Sequence, residues 1–175
     1  KLLFDRYVRR VLPAARSQIV GLRYFNVFGP QENHKGKMAS IAYQLYRQLQ
    51  NEGVMKLFAG TDGYPDGGQL RDFVYVKDVV DINLFFYNNP GQSGIFNCGT
   101  GRAHAFNDVA NALVKAAGAG EIKYVEFPEV LKGKYQSFTE ADMSWMSRLG
   151  CDKVFTDLDV AVAEYYRYLA ANDGY

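Results

Sequence analysis

The chain has 175 residues, 48% of them hydrophobic and 22% charged, which fits one folded domain with a sizeable core and excludes a disordered segment. A net charge of +1 offers no electrostatic footprint for nucleic acid or an anionic membrane, and no apolar run approaches the roughly 20 residues of a spanning helix. Two distant cysteines and two histidines argue against a zinc site or disulfide framework and fit reduced thiols in a cytosolic protein.

Apolar residues at positions 3, 4, 7, 8, 11 and 12 repeat at helical spacing, and Pro13 ends that helix. The chain starts inside this pattern without a methionine, as a piece of a longer protein would. Residues 18–28, β-branched and aromatic, read as one buried strand. Met38, Ile41, Ala42, Leu45 and Leu49 form a helical stripe that Gly53 stops. Residues 55–58 read as a short strand, and "AGTDGYPDGGQ" as a turn-rich loop. "LRDFVYV" is extended and leads into a helix over 77–87. "GIFNCG" is a strand, and Phe106, Val109, Ala110, Leu113, Val114 and Ala117 make the cleanest helical stripe. "EIKYVEF" is a strand, followed beyond Pro128 by a polar, aromatic connection. Short helices close the chain, with Thr156 and Asp159 as a capping box for the last. Strands alternating with helices make the class α/β, and strands this few and short fit part of a larger sheet.

Five segments carry chemical signals. "GTGRAH" at 99–104 follows a strand and opens a helix, as a dinucleotide fingerprint does. That fingerprint needs a small sixth residue, and His104 stands there; the other reading is a tight turn near a ligand. Arg71, between a Gly-rich loop and a strand, suits a diphosphate through bidentate pairing, or is an ordinary surface arginine. Asp72 and Asp78 are expected to cap and pair locally. Asn26 ends a strand where open α/β sheets bind ligands, or it caps a turn. Tyr135 lies between basic residues, as a stacking platform or a core aromatic. The loop "GPQENHKGKMAS" at 29–40 sets His34, Lys35 and Lys37 between a strand and a helix; it is either solvated or touches a substrate.

Together "RYFNVFGP" at 23–30, "RDFVYVKDV" at 71–79 and "IFNCGTGRA" at 95–103 resemble the extended short-chain dehydrogenase/reductase family, whose sugar-nucleotide epimerases and dehydratases carry versions of all three. "HKGKMAS" at 34–40, "KLFAGTDG" at 56–63 and "LKGKYQSFTEAD" at 131–142 are similar to the branch that acts on ADP-heptose. The resemblance spans essentially the whole chain but only the C-terminal part of such an enzyme; the N-terminal Gly-rich βαβ unit is absent. It implies the C-terminal part of an NAD(P)-binding Rossmann-like fold, with a small α/β substrate-binding portion mainly in 30–70 and 120–175.

The implied activity is isomerisation: inversion at C6 of ADP-heptose by transient oxidation and hydride return with NADP, or NAD, in the inner-core synthesis of lipopolysaccharide. A homo-oligomeric, cytoplasmic full-length enzyme is implied, with no nucleic-acid or membrane partner. By the family's pattern Lys1 continues a Y-x-x-x-K motif, holds the nicotinamide ribose and assists a tyrosine four positions upstream. Lys35 is implied as a catalytic base near the cofactor, Val27 as a cofactor contact and Asn26 as a sugar contact. Phe58, Ala59, Gly60, Thr61 and Arg71 are implied to grip ADP, and Tyr135 to bind substrate. Lys37 stands where a small hydroxyl residue is expected, Gln44 where histidine is, and Ala105 where a capping serine is; 37 and 44 remain expected substrate contacts. The competing expectations are another sugar-nucleotide epimerase or dehydratase of the family, and a truncated, non-catalytic nucleotide-sugar binder.

Overall fold

A computed structural model describes residues 1–174. Helix α1 (Leu2–Val11) passes at Pro13 into a single 3-10 turn, Leu12–Ala14, because proline cannot continue the α-helical hydrogen bonds. The run expected as one strand is two, β1 (Val20–Tyr24) and β2 (Asn26–Phe28). The break at Phe25 is a change of neighbours. β1 lies parallel to β6 (Gly94–Cys98), whereas β2 lies parallel to β5 (Phe73–Tyr75). The Phe25 amide still donates to Cys98, and the next amide, Asn26, donates to Asp72.

Helix α2 (Ile41–Glu52) starts at Ser40, whose hydroxyl accepts from the Tyr43 amide, and stops at Gly53 in the left-handed conformation, φ 69°. Met38 does not belong to its stripe. It sits in the preceding 3-10 turn and is 85% exposed. β3 (Val54–Phe58) pairs in parallel with β8 (Glu121–Val125), and β4 (Leu70–Arg71) pairs antiparallel with β7 (His104–Ala105). Helix α3 (Val76–Asn88) leaves β5 without a loop, and α4 (Phe106–Ala117) leaves β7 the same way. Ala105 offers no side-chain acceptor to α4, but Asp108 reaches back to its amide, 2.8 Å, which retains half of a capping box.

Short helices were expected at the end. Only α5 (Trp145–Leu149) is short; α6 (Leu158–Ala171) has 14 residues. The Thr156–Asp159 box does not form. The Thr156 amide and hydroxyl both donate to Asp78, at 2.9 and 3.0 Å, and Asp157 takes the cap position. Asp78, 1% exposed, therefore pairs across the fold rather than locally, and Lys153 also reaches it at 2.8 Å.

Two cores result. One joins α2, α4, α6 and β3 around Leu45, Met55, Leu113 and Val162. The other packs α3, β6 and α5 around Ile82, Phe86, Cys98 and Trp145, whose indole donates to the Asn97 carbonyl. β5 is their shared wall. Phe73 and Tyr75 enter the first core and Val74 the second, as the alternation of a strand buried on both faces requires. Both cysteines are buried free thiols, and burial pushes Cys98 up to about 12. Leu2, Leu3, Phe4 and Tyr7 of α1 are exposed, and among the described residues β1 has a partner on one side only.

Asp72 ties the centre together. It has no exposure and accepts from the Thr100 amide and hydroxyl, the Gly101 amide and the Ala141 amide, all at 2.8–3.0 Å. Like Asp78, it pairs over long range and not locally. A Cβ at Gly99 would stand 2.6 Å from the Asp72 carboxylate and 2.7 Å from the Ala141 methyl, so only glycine lets the turn close on it. Asp72→Asn should destabilise the fold by about 2–4 kcal/mol, because the new amide points donors at backbone donors. An unchanged urea-unfolding midpoint would show that the carboxylate is dispensable.

Candidate active site

Arg71 follows from strand geometry. It is the second residue of the two-residue strand β4, and its pleat turns it inward. It is 7% exposed, so the alternative of a surface arginine does not hold. Its guanidinium lies 4.8 Å from the Tyr135 ring centre and 5.8 Å from that of Phe106. Among the described residues no carboxylate pairs with it, and its guanidinium hydrogen bond goes to the Leu70 carbonyl at 2.8 Å. Burial lowers its pKa while Tyr135 and Tyr64 oppose that shift. A guanidinium remains charged at neutral pH and carries five donors in a fork that matches phosphate oxygens. A buried, unpaired cation is costly, and an anionic ligand would offset that cost.

A pocket of about 260 Å³ opens beside it, lined by Gln44, Lys56, Phe58, Gln69, Phe106 and Tyr135 among others. Phe58 and Tyr135 each meet Phe127 edge-on, at 5.4 and 5.3 Å, which fixes both rings. Burial raises the Tyr135 phenol's pKa against the pull of Arg71. Ala59, Gly60 and Thr61 continue from β3 into a folded turn. The Gly60 amide donates to Asp66 at 2.7 Å, the Thr61 carbonyl accepts from Tyr64, and Gln69 donates to the Ala59 carbonyl. A Cβ at Gly60 would lie 2.4 Å from the Tyr64 carbonyl. Gln44, Phe58, Arg71 and Tyr135, far apart in sequence, are thereby brought together.

Lys35 and Lys37 are exposed on a 3-10 turn, Asn33–Met38, kinked at Gly36 with φ 53° and ψ −124°. Neither is ion-paired among the described residues. Gln44 spends its amide group on this turn, donating to the Lys37 carbonyl at 3.3 Å and to Ala39 at 2.8 Å. It thus links the lysine turn to the pocket. Asn26 is exposed and Val27 half-buried at the start of β2, opposite Phe73 and Val74. Lys1 is exposed at the cap of α1, and no described side-chain contact joins it to the pocket. The "GTG" turn is not a phosphate cradle, because its Thr100 and Gly101 amides already donate to Asp72. A larger cleft of about 370 Å³, lined by His104, Asp108, Lys115 and Asp159, sets opposite charges against one another and offers no aromatic wall.

The residues that sequence reasoning missed are Glu32, Gln69, Phe106 and Phe127. Phe106 and Phe127 read as core aromatics, and Gln69 as loop. Glu32 is 3% exposed inside a loop of polar composition, and one partner, Tyr165, lies 133 positions away; no local pattern marks such a pair.

Residues 1–99 match the model of the NAD dependent epimerase/dehydratase family. The chain is 53% identical over 165 residues to an ADP-L-glycero-D-manno-heptose-6-epimerase of Alkalilimnicola ehrlichii, covering 94% of this chain and 52% of that protein. The crystal structure of the Helicobacter pylori ADP-L-glycero-D-manno-heptose-6-epimerase superposes with a TM-score of 0.77 at 30% identity, covering 97% of this chain and 49% of that one. A Thermus thermophilus UDP-glucose 4-epimerase in complex with NAD, 24% identical, shares the fold with a TM-score of 0.73 over 94% of this chain and 51% of its own. The chain spans about half the length of these relatives. With the family model matching 99 of its 175 residues, the α/β fold and parallel strand pairs are those of a Rossmann-like epimerase, and the chain belongs to the NAD dependent epimerase/dehydratase family.

Proposed function

We propose that these residues form the substrate-binding part, and one side of the catalytic site, of an enzyme that inverts C6 of ADP-D-glycero-D-manno-heptose. The observation that carries the reading is Arg71, a buried guanidinium beside an aromatic pocket, with no carboxylate paired to it among the described residues. A diphosphate would satisfy that charge, and the wall of Phe58 and Tyr135 is suited to a base or sugar. The names of the two heptose epimerases support the substrate. A cytoplasmic, homo-oligomeric enzyme serving lipopolysaccharide inner-core synthesis completes the reading.

The residues present fit the nicotinamide end of NADP, or of NAD, better than its pyrophosphate. Asn26, Lys1 and Lys35 offer exposed polar groups, while the amides of the "GTG" turn are spent on Asp72. A bound dinucleotide would supply reversible hydride transfer at C6, so that inversion needs no net oxidation. Lys1, with Val27 beside the ring, would hold the ribose and assist an upstream tyrosine. Lys35 would move the proton at the sugar oxygen on the face that the tyrosine cannot reach. Asn26, Gln44 and the backbone near Lys37 would orient the sugar between them.

Three measurements test this reading. In a protein of the relatives' full length carrying this sequence, Arg71→Ala should raise KM for ADP-heptose about ten- to a hundredfold, the cost of about 1.5–3 kcal/mol for a lost charge-assisted contact; an unchanged KM leaves Arg71 without a ligand. Lys35→Ala should lower kcat by about 10²–10⁴-fold with KM altered less, whereas His34→Ala and Lys37→Ala should not. Near-parental turnover by Lys35→Ala, or a collapse on losing His34, refutes the assignment. The 175 residues alone should bind NADP weakly and show no epimerisation, since among the described residues the one glycine turn that opens a helix like a fingerprint has its amides spent on Asp72. Micromolar NADP binding by calorimetry contradicts that.

A further inference from the structure

The lysine turn is held by a group that the chemistry above does not use. The Glu32 carboxylate is buried, and among the described residues no cation pairs with it. It accepts instead from the Ser40 amide and hydroxyl, both at 2.6 Å, from the Tyr165 hydroxyl at 2.9 Å and, more distantly, from the Gly29 amide at 3.5 Å. Gly29 and Ser40 are the two ends of the loop that carries Lys35, so one carboxylate bridges both. Its own carbonyl accepts from the Lys35 amide at 3.0 Å, which makes Glu32 the first residue of the turn whose fourth is the lysine. Through Tyr165 the same carboxylate anchors the loop to α6 in the first core.

The loop needs such a hold because its path is locally unfavourable before the lysine and kinked after it. Gln31 has φ 67°, a left-handed conformation that is costly for a residue with a side chain, while Gly36, with φ 53° and ψ −124°, turns the chain through a conformation open to glycine. Conformations of this kind persist where surrounding contacts over-determine them. Closing a surface loop does not demand a buried carboxylate. Hydrogen bonds to an ionised acceptor are shorter and stronger than neutral ones, and a group that must meet a reacting oxygen gains from that rigidity.

We propose that Glu32 is a positioning residue for Lys35, clamping the two ends of its loop and fixing them to α6 through Tyr165. The inference rests on the assignment of Lys35 as an acid–base group. It is tested in the full-length protein with Glu32→Gln, Lys35→Ala, the double variant, and Tyr165→Phe, which keeps the carboxylate but removes one donor. Glu32→Gln should lower kcat by tenfold or more, with KM for ADP-heptose within about twofold, as a displaced catalytic group does. In the Lys35→Ala background the same change should cost nothing further, because both act through one group. Amide exchange over residues 33–39 should rise in Glu32→Gln while that of α4 stays slow. Tyr165→Phe should shift kcat the same way by less, and it decides the matter by the same double-variant comparison if Glu32→Gln does not fold. A parental kcat for Glu32→Gln, or a loss that multiplies with that of Lys35→Ala, overturns the positioning role while the Lys35 assignment stands. Near-parental turnover by Lys35→Ala alone removes both.

Discussion

The buried carboxylate of Asp72 is the constraint around which this fold is arranged. It is the residue after Arg71, and its two oxygens take up amides from the 99–101 turn and from the segment that follows Tyr135. Its carbonyl receives the amide of Asn26 at the point where the chain passes from one strand pair to the next. Three segments distant in sequence are thereby held within reach of one side chain. Arg71 inherits its placement from this junction: its neighbour is locked, its strand is only two residues long, and Tyr135 is delivered by the very segment that Asp72 anchors. An arginine so placed needs no protein carboxylate to hold it, which leaves its charge open to a ligand.

A division of labour follows. The pocket wall of Phe58, Phe106 and Tyr135 is rigid, its rings fixed edge-on against Phe127 and Phe73, as a binding surface for a flat or hydrophobic group should be. The Lys35 loop is a separate device, strained at Gln31, kinked at Gly36 and tied at its ends by Glu32. Gln44 belongs to both, lining the pocket while its amide group holds the Lys37 and Ala39 carbonyls. In the family pattern histidine is expected at that position; here the side-chain amide group serves loop geometry.

Periodicity carried the helices well, because α2 and α4 each bury a stripe that recurs every three to four residues, and Gly53 and Gly118 adopt the left-handed turns that end them. What periodicity could not carry was every feature decided by a distant partner. Residues 18–28 are rich in β-branched and aromatic residues throughout, and nothing local shows that Phe25 is where the strand exchanges β6 for β5. Thr156 has the local signature of a cap, but Asp78, 78 positions away, takes both its amide and its hydroxyl. Arg71 reads equally as a diphosphate contact or a surface charge, and Glu32 lies in a polar loop with no local mark; their burial is a property of the fold and not of their neighbours in sequence. Asn26, Arg71 and Tyr135 could be singled out from the residues themselves and the other candidates through motif resemblance; what the fold adds is which of them meet: Gln44, Phe58 and Tyr135 line one pocket, Arg71 packs on Tyr135 beside it, Lys35 is on a loop joined to it, and Lys1 is apart at the start of α1.

The most direct measurement is a crystal structure of the full-length protein with ADP-heptose, or ADP, bound. The arrangement predicts diphosphate oxygens within about 3 Å of the Arg71 guanidinium nitrogens, and the nucleotide resting against Phe58 and Tyr135. A diphosphate held elsewhere, with Arg71 turned onto a protein carboxylate and the pocket empty, would contradict it.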